Sequence, residues 1–264
     1  AGLGDPSAPE PASGYRSKSL TRAKSYMVVA AHPLASKAGC EVLQKGGSAI
    51  DAAVAVQGVL GLVEPQSSGL GGGAFLLHYD AKTKQIHSYD GRETAPRAAT
   101  ADYLRFISDS VRSPPLPVLA LPDTVDAFNQ LRQSGRSIGT PGVMRMLEMA
   151  HQDHGRLHWN RLFDAGIALA QDGFAIGGRL ADAIAGTRTF LQTDREAARY
   201  FLDSDGAAKS LGTVLRNPAY AATLRALASH GADALHSGAI AEGILEKIHK
   251  TSGGSPTVAM TPGL

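Results

Sequence analysis

Residues 61–96, GLVEPQSSGLGGGAFLLHYDAKTKQIHSYDGRETAP, hold the transition that decides the fold: a helical pattern ends, glycines turn the backbone, and two alternating segments lead into an arginine. Upstream, residues 49–63 (AIDAAVAVQGVLGLV) are apolar nearly all round, the pattern of a helix buried between layers rather than lying on water. Glu64-Pro65 ends it. Gly69, Gly71, Gly72 and Gly73 accept positive φ and allow close approach by other backbone or a ligand, which a Cβ resists. Residues 74–79 (AFLLHY) and 84–89 (KQIHSY) are aromatic-rich and β-prone, and the short polar link 80–83 (DAKT) predicts a hairpin. Arg92 sits just past the second strand, beside the glycines, where a guanidinium is well placed to grip a carboxylate bidentately. Composition taken alone favours a plainer role, a surface arginine paired with Asp90 or Glu93.

The same glycines invite a nucleotide-binding reading, because 69–74 (GLGGGA) fits G-x-G-x-x-A. That fingerprint follows a strand and opens a helix, whereas here a helix precedes the glycines and a strand follows them. No helix N-terminus is on hand for a pyrophosphate, which argues against a nicotinamide or flavin cofactor.

Outside this stretch, 264 residues with 43% hydrophobic content suffice for a sizeable core in one domain or one large lobe. A net charge of +2 without a Lys/Arg cluster argues against nucleic acid. Cys40 is the single cysteine and can form no internal disulfide; its surroundings predict a small buried helical residue. No uncharged apolar run reaches the 18 or so residues of a membrane span. The sequence begins at Ala1 with a Pro/Gly/Ala/Ser-rich stretch, 1–13, predicted to be disordered and to be a processed or engineered end. It carries no charged-then-apolar signal segment.

Residues 26–31 (YMVVAA) read as a buried strand closed by His32-Pro33, before a helix over 34–45 that stops at Gly46-Gly47. Ser48 is a fair N-cap for the apolar helix, and Asp51 suits its first turn, where the helix dipole favours an acid, better than it suits an active-site acid. Beyond Pro96, 113–117 (SPPLP) must be extended and predicts a surface loop. Thr140-Pro141 places a proline at the first turn of a helix whose Val143, Met146, Leu147 and Ala150 share a face. Further helices are predicted over 159–171, ended by Gly173, and over 194–202, 218–231 and 239–250, an all-α flank. His151, His154 and His158 lie in HQDHGRLH, but Gly155 breaks the helix between them and no HExxH or cysteine partner accompanies them. The expectation is a solvated helix end and no metal.

Long strings of the sequence carry a family resemblance: 26–80 (YMVVAAHPLASKAGCEVLQKGGSAIDAAVAVQGVLGLVEPQSSGLGGGAFLLHYD), 89–96 (YDGRETAP), 135–159 (GRSIGTPGVMRMLEMAHQDHGRLHW), 162–174 (LFDAGIALAQDGF) and 215–244 (LRNPAYAATLRALASHGADALHSGAIAEGI). In this order they resemble the large subunit of γ-glutamyltransferases (glutathione hydrolases). The match runs from about residue 25 to the C-terminus, which leaves 1–24 as a tail and 25–264 as a large-subunit portion. The resemblance implies an α+β fold, a helix-rich part of the αββα sandwich of N-terminal nucleophile hydrolases.

Members of the family cut themselves before a threonine, which becomes the nucleophile at the head of a small subunit, with its own α-amino group as the base. This sequence holds no such segment and stops at MTPGL, so the resemblance implies a portion truncated before the cleavage site, with no catalytic residue of its own. The implied partners are that small subunit and glutathione or another γ-glutamyl donor; no metal or organic cofactor is implied, and the location is periplasmic or secreted. Arg92 matches the arginine that grips the donor's α-carboxylate; that Asp90 and Glu93 orient it is an expectation from their nearness in sequence and not from the family. A cephalosporin or glutaryl acylase of the same fold, or a non-catalytic homologue, is the alternative.

Overall fold

In the computed structural model, which describes residues 19–97, 99–100 and 134–251, the core begins with two helices joined by a tight link. Helix α1 (Pro33–Gln44) carries a proline at its first position, and His32 caps it, Nδ1 accepting the Leu34 N–H at 3.2 Å. Gly46, at φ +88°, turns the chain out of it. Helix α2 (Ala49–Val63) starts with a reciprocal cap: Ser48 Oγ accepts from the Asp51 N–H at 3.1 Å, and Asp51 Oδ2 accepts from the Ser48 N–H at 2.7 Å. As its all-round apolarity predicts, α2 is buried on most sides, with Val54, Val59 and Val63 almost wholly removed from water. Burial of each such side chain contributes about 1.5–3 kcal/mol.

The predicted hairpin forms. Strand β1 (Ala74–Asp80) pairs antiparallel with β2 (Gln85–Gly91), placing His78 opposite His87 and Ala74 opposite Gly91. Leu76, His78, His87, Tyr89 and Gly91 alternate onto the face turned to helix α3 (Val143–His154). The other face leaves Phe75, Leu77, Tyr79 and Ile86 60–76% exposed. Helix α3 buries Val143, Met144, Met146, Leu147 and Ala150, the expected face plus Met144. Pro141 stands just outside it, because Gly142 is the N-cap.

The C-terminal part is helical, as expected. A 3₁₀ segment, Trp159–Phe163, runs into α4 (Asp164–Asp172), so the single helix expected over 159–171 is two pieces; Gly173 then reverses the chain at φ +99°. Strand β3 (Phe174–Ala175), α5 (Gly178–Gly186), α6 (Arg188–Leu191) and α7 (Arg195–Phe201) follow. Strand β4 (Val214–Leu215) pairs back on β3, and α8 (Pro218–His230) and α9 (Gly238–Thr251) complete the described chain. Leu224 and Leu227 of α8 share the core with Phe163 and with α2.

Two expectations are corrected. Residues 26–31 form no strand, and Tyr26, Met27 and Val29 are 40%, 50% and 84% exposed. Their β-prone side chains favour the dihedrals, but a strand also needs a neighbour to bond, and among the described residues none pairs with them. Cys40 lies on α1 as expected, yet is only half-buried. The 1–13 stretch and the 113–117 loop lie outside the described residues.

Candidate functional site

Three segments converge where the hairpin leaves β2. The glycine run is tied to α2 on one side: the Glu64 carbonyl accepts the Ser67 and Ser68 N–H groups at 3.0 Å, and Gln57 Nε2 donates to the Gly69 carbonyl at 3.0 Å. On the other side the Gly72 carbonyl accepts both the Gly142 and Val143 N–H groups at 3.1 Å, taking donors that a helix start otherwise leaves unpaired. The exit of β2 is fixed by a bridge between Thr94 and Thr140, the Thr140 N–H donating to the Thr94 carbonyl at 2.8 Å.

Glycines make this convergence possible by close approach. A Cβ on Gly73 would stand 2.7 Å from both the Glu93 nitrogen and the Gly91 carbonyl oxygen, and one on Gly142 would stand 2.8 Å from the Gly91 carbonyl carbon. None of Gly69, Gly71, Gly72 and Gly73 uses the positive φ open to glycine, so the run serves by close approach. Only part of the run is crowded: nothing lies within 4 Å of a Cβ built on Gly69 or Gly71. Gly91 and Gly142 were missed as site formers, although YDGRE and GTPG each show a glycine beside the very segments that meet.

Arg92 sits at this junction, past the end of β2 as predicted. Its backbone N–H donates to Asp90 Oδ1 at 2.9 Å and its Nη1 to Glu93 Oε2 at 2.7 Å. The two acids therefore divide the work, Asp90 shaping the backbone and Glu93 steadying the guanidinium. Among the described residues Glu93 is the sole ion partner of Arg92, whose side chain is 66% exposed against 27% for Glu93. A pair this open is worth about 1 kcal/mol or less, and it engages one nitrogen of a group that carries five N–H donors. The remaining edge of the guanidinium is available to a carboxylate.

Behind the run, Glu64 is buried and held by Arg179 Nη1 at 3.3 Å and Gln66 Nε2 at 2.7 Å. Burial pushes the nearby His32 imidazole below its usual pKa, and the charge of Glu64 partly restores it. Asp51 is fully buried, and beyond the cap its carboxylate accepts the backbone N–H groups of Arg156 and Leu157. Its acceptor capacity goes to backbone donors, which makes it a tie between helices.

The three histidines of HQDHGRLH go to different neighbours. His151 Nε2 lies 2.9 Å from the Leu157 carbonyl and 3.4 Å from Asp51 Oδ1, His158 precedes the 3₁₀ segment, and His154 turns to the hairpin. There it stacks on His78 and His87, a cluster that the hairpin register makes legible: positions 78 and 87 are symmetric about the 81–84 turn. Among the described residues no group of His, Cys, Asp or Glu is arranged to hold a metal ion.

The family model described as Gamma-glutamyltranspeptidase matches residues 35–259. The chain belongs to the gamma-glutamyltranspeptidase family. It is 36% identical over 240 residues to the glutathione hydrolase proenzyme of Bacillus subtilis (strain 168), covering 91% of this chain and 38% of that relative. The chain thus spans well under half the length of the curated relatives it matches. Among solved gamma-glutamyltranspeptidases, that of Helicobacter pylori superposes with a TM-score of 0.77 at 28% identity, covering 89% of this chain and 63% of the other. Cephalosporin acylase from Bacillus halodurans superposes with a TM-score of 0.68 at 23% identity, covering 92% and 44%, a likeness of fold alone. The expected class holds: this is an α+β, helix-rich portion of the N-terminal nucleophile hydrolase fold. No helix among the described residues is long and apolar enough to cross a membrane.

Proposed function

We propose that residues 25–264 are the donor-binding large-subunit portion of a γ-glutamyltransferase, and that Arg92 grips the α-carboxylate of glutathione or another γ-glutamyl donor. The observation that carries this reading is the placement of Arg92: a fixed strand exit, one nitrogen braced by Glu93, and the rest of the guanidinium open at a glycine-lined junction. The nucleophile comes from a small subunit headed by a threonine, released when a precursor cuts itself; the threonine attacks the γ-carbonyl, and water or an amino acid resolves the acyl enzyme. The word proenzyme in the name of the Bacillus subtilis relative supports processing. The uncovered hairpin face of Phe75, Leu77, Tyr79 and Ile86 supports a partner segment packing over it. The 264 residues alone are inactive on this reading, and the assembled enzyme works in the periplasm or outside the cell. An acylase function has only the shared fold in its favour, whereas an exposed arginine suits an amino-acid carboxylate.

The test is Arg92→Ala in the assembled enzyme, assayed on a γ-glutamyl anilide and on the matching anilide that lacks the α-carboxylate. Loss of the arginine leaves the donor carboxylate without its partner, a cost of roughly 2–5 kcal/mol in kcat/KM for the first substrate. Little change is expected for the second. Equal losses on both would make Arg92 structural and end the donor-site reading.

A further inference from the structure

The contact between the hairpin and the end of α3 is built from imidazoles. His78 and His87 are cross-strand partners on the inner face, and His154, the last residue of α3, lies over both. Its ring centroid is 4.1 Å from that of His78, tilted by 30°, and 4.9 Å from that of His87, edge-on at 61°; the two strand histidines are 6.3 Å apart. One cross-strand step away, the Tyr89 hydroxyl donates to Asp153 Oδ2 at 2.7 Å and stands 2.9 Å from His154 Nε2. With its one proton given to the carboxylate, the Tyr89 oxygen accepts from Nε2–H of His154, a bond that the neutral ring already makes.

We propose that His78, packed against His87 and His154, makes a proton-sensitive clasp that holds the hairpin on α3 while its ring is neutral and lets it go as that ring charges. Neutral imidazoles stack at these distances, whereas imidazolium ions repel across them. The other titratable groups facing the cluster are Asp80 at the end of β1, Tyr89 on β2 and Asp153 on α3; the two acids temper the repulsion. His151, one turn earlier on α3, faces Asp51 and Leu157 instead. Burial holds the His78 pKa below its ordinary value, His154 and His87 lower it further, and Asp80 raises it in part. Tyr89 is pushed up to about 12, mainly by burial, and so keeps its proton throughout. A depressed histidine pKa in the closed state means that closure is fully favoured above the ordinary imidazole value of about 6.5 and lost as pH falls below it. The strand released is the one that ends at Gly91 and delivers Arg92, but the clasp does not depend on what Arg92 binds.

Hydrogen exchange of the 264-residue chain, corrected for intrinsic rates, reads the clasp directly. Between about pH 7.5 and about pH 5.5, peptides covering 75–90 should open more often, by up to about tenfold for one linked proton, while α8 peptides stay constant. In His78→Gln/His87→Gln the hairpin response should flatten. Unchanged hairpin protection in the parent, or an undiminished response in the double variant, overturns the proposal. If the double variant does not fold, the ring C–H titration of the parent decides: His78 titrating below the ordinary imidazole value supports the clasp, and His78 titrating at that value overturns it.

Discussion

The carboxylate of Asp51 accepts the backbone N–H of Leu157 at 3.1 Å, tying the first turn of α2 to the loop that leaves α3. The same Oδ2 takes the Arg156 N–H at 3.0 Å and the Ser48 N–H at 2.7 Å. Asp51→Ala therefore strands three backbone donors around a fully buried site, and stability should fall by about 2–4 kcal/mol. Asp51→Asn can turn its carbonyl oxygen to the same donors and should cost distinctly less. Chemical denaturation of the two variants checks the order; an alanine variant as stable as the asparagine one would mean that the backbone donors find other partners.

His32 makes stability depend on pH through a helix cap. Its Nδ1 accepts the Leu34 N–H only while unprotonated, and burial depresses its pKa. The sign follows: the contribution is complete above the ordinary value of about 6.5 and is lost as pH falls toward the lowered folded value. His32→Asn keeps a capping acceptor that does not titrate, so its thermal midpoint should drop less than the parent's between about pH 7.5 and about pH 5.5. An identical drop in both proteins would show that His32 is not linked to folding.

Reading by periodicity worked where one element carries its own pattern. The all-round apolarity of 49–63, the alternation in 74–79 and 84–89, and the apolar stripe of Val143, Met146, Leu147 and Ala150 each appear as the element expected. Residues 26–31 failed because strand formation is a property of pairs. Helices α5 and α6 were overlooked because they are short and α5 is bounded by Gly178 and Gly186, residues that favour no helix. For the site, the position of Arg92 followed from the hairpin alone. The junction around it did not, because Gly73, Gly91 and Gly142 are brought together by tertiary contacts across some seventy residues of sequence.

Those glycines differ in what they tolerate. Gly142→Ala puts a methyl group 2.8 Å from the Gly91 carbonyl carbon and 3.1 Å from the Arg92 carbonyl oxygen, and both obstacles are backbone. The expected loss is about 1–3 kcal/mol, by overpacking at a place with no side chain to give way. Gly71→Ala meets nothing within 4 Å and should stay within about 0.5 kcal/mol of the parent. Thermal melts of the pair test the contrast, and equal stabilities would mean that the three segments are not held as closely as described.

Replacing Arg92 by lysine separates charge from geometry. Lysine brings a point charge that can still meet Glu93, but it lacks the planar fork that takes a carboxylate with two parallel hydrogen bonds. If the donor is held by that fork, Arg92→Lys should fall between the parent and Arg92→Ala in kcat/KM on a γ-glutamyl donor, with a loss of about 1–3 kcal/mol. Most of it should appear in KM, because a carboxylate remote from the scissile bond is gripped alike in ground and transition states. Steady-state kinetics of the assembled enzyme make the comparison. A lysine variant equal to the parent would reduce Arg92 to a source of charge, and a loss confined to kcat would place it at the reacting bond instead of at the donor's far end.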